Sequence, residues 1–330
     1  MMNMMKKKPL VSVIVPNYNY ARFLRQRIGS ILLQSYTDYE LILLDDASAD
    51  ESRDILESYR DNPHVSHIVY NDENSGSPFT QWQKGLALAR GKYVWIAESD
   101  DYADASFLAE TVGMLERHPQ AVVCFTGSRR IDPQGNTLAR DSDYWTRKPS
   151  LYRQGYRVLD GNDYILHNLY WRAYIYNASG ALFRRAALQK ADVSQCIAMR
   201  CSGDWLFWAE LAKQGQIIEV YKKLNYFRYH AISASTQGVR NGTAMKEDFR
   251  VVKDLEEAFP QIGSYRRTLR RGIFYKRIRR MDASPAVKQE LFDALNQTLG
   301  GGKKDFLLER ANRYVGFLCP FLLTYQRDRL

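Results

Sequence analysis

The feature that most constrains the fold is a regular alternation of short apolar runs and amphipathic stretches over residues 11–125. Continuous apolar, β-branched runs are typical of strands that are buried on both faces. Strand–helix alternation with short connections favours an α/β fold with a mostly parallel, doubly wound sheet flanked by helices. We predict strands at residues 11–15, 41–44, 65–70, 93–97 and 121–125.

Acidic residues follow two of these strands. Asp45-Asp46 ends the second strand, and Ser99-Asp100-Asp101 follows the fourth. Because ligands of such sheets bind beyond the carboxyl ends of the strands, we expect both clusters at one ligand-binding rim. Adjacent carboxylates repel each other, and Mg²⁺ or Mn²⁺ would compensate while sharing its other positions with substrate phosphates. The alternative for each cluster is a solvated loop beside a helix cap, and Ser48 is a predicted cap.

The rest of the chain is less regular. After Gly127 the sequence becomes polar and aromatic, strand character returns at 175–183, 216–221 and 224–229, and helical patterns begin near residue 241. We therefore predict one domain over 1–240, with a first half at 1–127 and a second at 128–240. Residues 241–330 form a basic helical C-terminal extension.

The chain carries a formal net charge of +10, and arginine and lysine are densest at 266–280. A solvated helix face is one explanation of this run, and attachment to an anionic membrane surface is another. Nucleic acid is not an expected partner, because no nucleic-acid motif accompanies the charge. No stretch reaches the roughly 18 apolar residues of a membrane span, and four cysteines without a C-x-x-C pair fit a reducing compartment. We expect a cytoplasmic protein, peripheral on the inner face of the membrane.

An ordered set of segments in the first third of the chain resembles the family 2 glycosyltransferases with the GT-A fold. The matching segments are residues 11–19, 28–36, 40–50, 74–76, 85–91 and 93–101. The resemblance implies an inverting enzyme that moves a sugar from a nucleotide-diphospho-sugar, first of all a UDP-sugar, to an acceptor hydroxyl. It also implies a hexosyl- or N-acetylhexosaminyl-transferase of bacterial cell-surface polysaccharide synthesis, acting on a glycan or a lipid-linked acceptor.

Roles follow from the resemblance by position. It implies that Pro16, Asn17 and Tyr18 line the nucleotide pocket and that Asp46 contacts the base. Ser99 and Asp100 fall in the nucleotide-sugar-binding segment, although many relatives carry Asp or Thr where this chain has Ser99. The resemblance makes Asp101 the metal ligand for Mn²⁺ or Mg²⁺, and His230 resembles a C-terminal histidine that approaches the metal or the diphosphate.

Asp204, in Gly203-Asp204-Trp205, is the candidate general base. In the resembling family this region supplies the group that takes the proton from the acceptor hydroxyl. The structural alternative is a helix cap, because Asp before an apolar helix is an ordinary helix start.

Other classes of protein fit less well. An NAD-dependent oxidoreductase should show G-x-G-x-x-G after the first strand, where this chain has Pro16-Asn17-Tyr18-Asn19. A catalytically silent module that binds nucleotide-sugar or membrane remains the alternative from another class.

Overall fold

The structure, a computed structural model, describes residues 8–139, 142–229, 238 and 241–318. Five predicted strands in the first 131 residues are confirmed, and the third has the predicted bounds. The strands are β1 (Val11–Asn17), β2 (Tyr39–Asp45), β3 (Val65–Tyr70), β4 (Tyr93–Ile96), β5 (Tyr102–Ala103), β6 (Ala121–Ile131), β7 (Tyr156–Asp160), β8 (Ala181–Arg184) and β9 (Gln216–Arg228).

Helices fill the intervals between the first strands and make up the described C-terminal part. They are α1 (Ala21–Leu32), α2 (Ser52–Glu57), α3 (Pro78–Leu88), α4 (Phe107–Arg117), α5 (Pro149–Gln154), α6 (Gly161–Tyr164), α7 (Ser194–Ile197), α8 (Gly203–Ala212), α9 (Thr243–Ala258), α10 (Ser264–Arg280), α11 (Pro285–Leu299) and α12 (Lys303–Leu318). A π-helical turn, Ile165–Leu169, extends α6, and 3₁₀ turns occur at Tyr144–Arg147, Ala178–Gly180 and Arg185–Gln189. None of the described helices is long and apolar enough to cross a membrane.

One mixed sheet has the strand order β3-β2-β1-β4-β8-β6-β9-β5, and β7 pairs with β9. Strands β3, β2, β1 and β4 are parallel neighbours, as the alternating pattern predicts. Strand β8 runs antiparallel between β4 and β6. The prediction of two short strands at 216–221 and 224–229 is wrong, because β9 continues through both and pairs with three strands, β5, β6 and β7. These additional pairings lengthen the sheet beyond its parallel half.

The chain divides into two compact units. The first comprises Met1–Gly161, Ile175–Ile197 and Glu210–His230 and contains the sheet. The second comprises Asn162–Tyr174, Ala198–Ala209 and Ala231–Leu330. Segments from the predicted second half of the domain thus fold with the C-terminal helices.

Helix α3 lies unusually close to the sheet at Gly85. A Cβ atom built on Gly85 would stand 2.4 Å from Cγ2 of Ile14 in the buried strand β1. Glycine is therefore required here by the close approach of a helix to a strand, since a packed interior has no room for an extra methyl group.

We predict that Gly85→Ala lowers the free energy of unfolding by about 1–3 kcal/mol, because the added methyl group overpacks the interface with Ile14. Gly113→Ala in α4 is the matched control, since nothing lies within 4 Å of a Cβ at that position. The control should be neutral or stabilising by up to about 1 kcal/mol, because alanine is the better helix former. Urea unfolding measures both, and equal effects would contradict the packing argument.

Candidate active site

The carboxyl ends of β1, β2 and β4 form one rim of the sheet, which carries most of the predicted site. Asn17 pairs with Asp45 in the register of β1 and β2. The hydroxyl of Ser99 donates to the Pro16 carbonyl at 2.6 Å, which joins the segment after β4 to β1. The structure therefore brings the two acidic segments to the same rim of the sheet.

Asp46 is buried, and polar groups from the segment after β3 surround its carboxylate. Ser75 donates to it through its backbone N–H at 3.0 Å and its hydroxyl at 2.7 Å, and Gln81 donates through its amide at 2.7 Å. The amide of Asn71 also donates to Asp46. Asp46 thus organises residues 71–81, and its contact with a base stays a prediction.

The loops after β1 and β2 are fastened to each other. The side-chain amide of Asn17 donates to Asp45 at 3.1 Å and to Ser48 at 3.2 Å, and the backbone N–H of Asn19 donates to Ser48 at 2.9 Å. The prediction that Ser48 caps the next helix is wrong, because its oxygen accepts these bonds and α2 starts without a side-chain cap. Tyr18 is 45% exposed at this rim, so its ring is available to a ligand.

The segment after β4 presents three carboxylates, Glu98, Asp100 and Asp101, which we call the acidic cluster. Both oxygens of the buried Asp101 accept hydrogen bonds, one from the backbone N–H of Arg228 at 2.8 Å and one from the amide of Asn177 at 3.0 Å. Glu98 accepts from the indole N–H of Trp82 at 2.9 Å. These contacts fix the two carboxylates that flank Ser99 and Asp100.

Burial and mutual repulsion both disfavour ionisation in the acidic cluster. Burial, with the negative charge of Asp100 second, raises the pKa of Glu98 to about 8. The same two causes raise the pKa of Asp101 above the usual carboxyl range. A positive charge brought to this rim would stabilise the ionised carboxylates.

Arg27 is one positive charge already present, and it is not among the residues predicted from the sequence. It lies on the buried face of α1 with Leu24, Ile28 and Ile31, and none of its guanidinium nitrogens has a hydrogen-bond partner among the described residues. The guanidinium stacks on the ring of Trp95 at 4.7 Å. Burial lowers the pKa of Arg27 to about 10, while the charges of the acidic cluster oppose that shift. A charge on the apolar face of a helix was the signal available in the sequence.

Arg228, at the end of β9, is the second positive charge. Its guanidinium donates to the backbone carbonyl of Asp100 at 2.7 Å and to the side chain of Gln26 at 2.6 Å, and it stacks on Phe23 at 4.3 Å. It also donates to the carbonyls that follow β6. Arg228 therefore ties the acidic cluster to α1 and β6.

The acidic cluster fits a divalent cation that is shared with a ligand. Among the described residues, no three His, Cys, Asp or Glu side chains are grouped closely enough to hold a metal ion alone. Mg²⁺ and Mn²⁺ take hard oxygen ligands, and one or two carboxylates suffice when substrate phosphates complete the shell. Asp101 and Asp100 supply such oxygens. His230 lies outside the described residues, so its predicted role is not tested.

Asp204 lies in the first turn of α8, in the second unit, and its carboxylate accepts from the N–H of Trp205 at 2.8 Å. Burial raises its pKa to about 7, and the charges of Asp248 and Glu247 add to the rise. A carboxylate with a pKa near 7 is suited to proton transfer at neutral pH. The helix-start geometry of the structural alternative is also present, so the base role stays a prediction.

Comparison with known proteins agrees with this fold. Residues 12–191 match the model of glycosyl transferase family 2. TuaG of Bacillus subtilis (strain 168), described as a teichuronic acid biosynthesis glycosyltransferase, is 38% identical over 132 residues, which are 40% of this chain and 51% of TuaG. The chain thus spans about half the length of this curated relative.

Two solved structures share the fold. Staphylococcus aureus TarS 1–349 in complex with UDP-GlcNAc superposes with a TM-score of 0.57 at 18% identity, covering 94% of this chain and 80% of that one. The mannosyltransferase PcManGT from Pyrobaculum calidifontis, in complex with GDP-Man and Mn²⁺, gives a TM-score of 0.57 at 15% identity, covering 96% and 83%. The predicted GT-A architecture is confirmed by these neighbours.

We predict that Arg27→Met destabilises the protein at pH 8 by about 3 kcal/mol, the order expected when buried charges lose their counter-charge. The raised pKa values mean that ionising Glu98 and Asp101 costs folded-state stability as pH rises from about 4 toward 8. Without Arg27 this cost grows. At pH 5, where these carboxyls are largely protonated, the variant should be at least as stable as the wild type, because Arg27 is then a buried charge with little negative charge to offset it.

Urea unfolding at pH 5 and pH 8 measures the difference. Arg25→Met is the control, because Arg25 is exposed on the same helix. A deficit of equal size at both pH values would show that Arg27 acts through packing and not through charge.

Proposed function

The chain belongs to glycosyl transferase family 2, and on that premise we propose that it is an inverting enzyme that moves a sugar from a nucleotide-diphospho-sugar to an acceptor hydroxyl. The observation that carries the proposal is the acidic cluster, held at the same rim as Asn17 and Asp46. We propose a UDP-sugar as donor, which the UDP-GlcNAc complex of TarS supports, and a hexosyl or N-acetylhexosaminyl group as the transferred sugar.

We assign the donor side to the rim of the sheet. Pro16, Asn17 and the exposed ring of Tyr18 receive the nucleotide, and Asp46 is directed at the base. Ser99 acts by holding the segment after β4 against Pro16, while Asp100 is nearer the ribose and the sugar. In this assignment residues 1–127 bind the donor and 128–240 bind the acceptor.

Asp101, with Asp100, would hold Mn²⁺ or Mg²⁺, as the Mn²⁺ in the PcManGT complex suggests. Such an ion supplies Lewis-acid neutralisation of the charge that develops on the leaving diphosphate. The protein's own contribution is to keep Asp101 in place through Asn177 and the backbone of Arg228. A carboxylate oxygen has two lone pairs, so an oxygen that accepts one of these hydrogen bonds can still coordinate a cation.

Asp204 is the proposed base. It takes the proton of the acceptor hydroxyl as that oxygen attacks the anomeric carbon, the bond to the diphosphate breaks, and the nucleoside diphosphate leaves. A single displacement of this kind inverts the configuration at the anomeric carbon. With a pKa of about 7, a large fraction of Asp204 is ionised at neutral pH.

The acceptor is proposed to be a glycan or a lipid-linked saccharide of bacterial cell-surface polysaccharide synthesis. The relatives described for teichuronic acid biosynthesis and poly(ribitol-phosphate) modification support this setting. We place the enzyme in the cytoplasm, peripheral on the inner membrane face, with the basic C-terminal helices providing the attachment.

We predict that a nucleotide-sugar donor raises the thermal unfolding temperature of the wild type only when Mn²⁺ is present, because the diphosphate and the acidic cluster share the cation. Asp101→Asn should abolish this shift and lower kcat by about 10²–10³-fold. Asp72→Asn, at an exposed position after β3, is the control and should behave as the wild type. A screen of UDP- and GDP-sugars in the same assay identifies the nucleotide.

If the wild type binds donor but neither transfers nor hydrolyses it, the protein is a nucleotide-sugar-binding module and the enzyme proposal fails. Unfolding of Asp101→Asn without ligand is measured in parallel, because the side chain is buried. If Asp101→Asn is unstable, the test is instead whether the wild type requires Mn²⁺ to bind the donor.

We predict that kcat rises with pH through about 7, since Asp204 must be ionised to accept the proton. Asp204→Asn should remove this limb and cost about 10²–10⁴-fold in rate. Asp248→Asn should keep activity but move the limb to lower pH, because the charge of Asp248 raises the pKa of Asp204. Unchanged transfer by Asp204→Asn, with its pH limb intact, would refute the base assignment.

A further inference from the structure

The second unit contains a cavity of about 660 Å³ whose charged wall is entirely cationic. Helix α10 contributes Lys276, Arg279 and Arg280, and α12 contributes Arg310 and Arg313. No Asp or Glu lines it. A concave surface with charge of one sign concentrates ions of the opposite sign, so the cavity is built for an anion.

Helix packing explains why these charges face one another. Helices α10 and α12 touch at Gly272, where an added Cβ would stand 2.5 Å from the Asp305 carbonyl oxygen and from Cβ of Glu309. The cations of α10 follow Gly272 at helical spacing and lie on one face. The guanidinium of Arg279 stacks on Phe306 of α12 at 5.0 Å, so the cationic wall is braced by an aromatic ring.

Carboxylates of the protein balance only part of the positive charge that lines the cavity. Arg313 pairs with the buried Glu309 at 2.7 Å. Within the part of the chain that the structure describes, Arg279, Arg280 and Arg310 have no carboxylate partner. Phosphate groups are the biological anions that guanidinium groups bind best, through paired hydrogen bonds.

An exposed apolar stripe lies beside the cationic wall. Eleven large hydrophobic side chains are exposed among the described residues, and six of them lie on α12. They are Leu307, Leu308, Tyr314, Val315, Phe317 and Leu318. Leu307, Tyr314 and Leu318 recur at spacings of seven and four residues, which places them on one side of the helix. A free phosphate or a nucleic acid would leave this stripe in water.

We propose that α12 lies in the interface of an anionic membrane, with lipid phosphate groups in the cationic cavity and the apolar stripe at the acyl-chain boundary. Amphipathic helices with arginine and lysine beside an apolar face bind membranes in this way. A second copy of the chain is disfavoured, because two cationic cavities would repel each other. The inference rests on the proposed membrane attachment and supplies its site and its ligand, the lipid phosphate.

The full chain is sedimented with vesicles of phosphatidylglycerol in phosphatidylcholine and, separately, with pure phosphatidylcholine vesicles. Arg279→Gln with Arg310→Gln should reduce binding to the anionic vesicles by about 30-fold, since each basic residue near such a surface contributes about fivefold. Arg250→Gln with Lys253→Gln is the matched control, because both residues are exposed on α9 and neither lines the cavity. Leu307→Ser with Leu318→Ser should weaken binding through loss of the apolar stripe.

Equal losses in the cavity variant and the charge-matched control would overturn the proposal in favour of diffuse attraction. Equal binding of the wild type to both vesicle types would overturn the proposal that the membrane must be anionic. A dimer that Leu318→Ser dissociates would show that a second copy covers the stripe. Donor binding is measured on the same variants and should not change. A loss of vesicle binding can then be distinguished from a failure of the proposed transferase activity.

Discussion

The structure of the rim depends on the cost of enclosing carboxylates in the segment after β4. Glu98, Asp100 and Asp101 lie within four residues, and burial together with the charge of Asp100 raises the pKa of Glu98 and of Asp101. The charge of Arg27 opposes both shifts, and the backbone N–H of Arg228 opposes that of Asp101. Without these two groups the pKa values would be higher still, and more of Glu98 and Asp101 would be protonated at neutral pH.

The two arginines solve the problem differently. Arg228 donates five hydrogen bonds through its guanidinium and its backbone, so it fixes geometry as well as charge. Within the described part of the chain, Arg27 donates no hydrogen bond and contacts the ring of Trp95, so it acts through its electrostatic field. Arg27 therefore favours the ionised carboxylates without occupying any of their lone pairs.

Sequence patterns predicted the parallel half of the sheet well, because each of its strands is marked by a short apolar run within the strand itself. The bounds of the third strand, Val65–Tyr70, follow directly from its apolar, β-branched run. The partners of Asp101 could not be predicted in this way, since Arg228 is 127 residues away and Asn177 is 76 away. The prediction for Ser48 failed for the same reason. Its hydroxyl accepts hydrogen bonds from Asn17 and Asn19, which lie 31 and 29 residues away, and does not cap the following helix. Arg27 was missed although its position on an apolar helix face is a local signal.

The C-terminal helices are more than an extension of the catalytic domain, as contacts around Asp204 show. Glu247 of α9 accepts from the backbone N–H groups of residues 200–202 at 2.8 Å each, which fixes the segment that leads into α8. Asp248 accepts from Ser202 and from Arg277 of α10. These two carboxylates also raise the pKa of Asp204. Burial is the main cause of the raised pKa of Asp204, and helix α9 adds to it while holding the segment before α8 in place. A chain cut before residue 241 should therefore lose both contributions of α9.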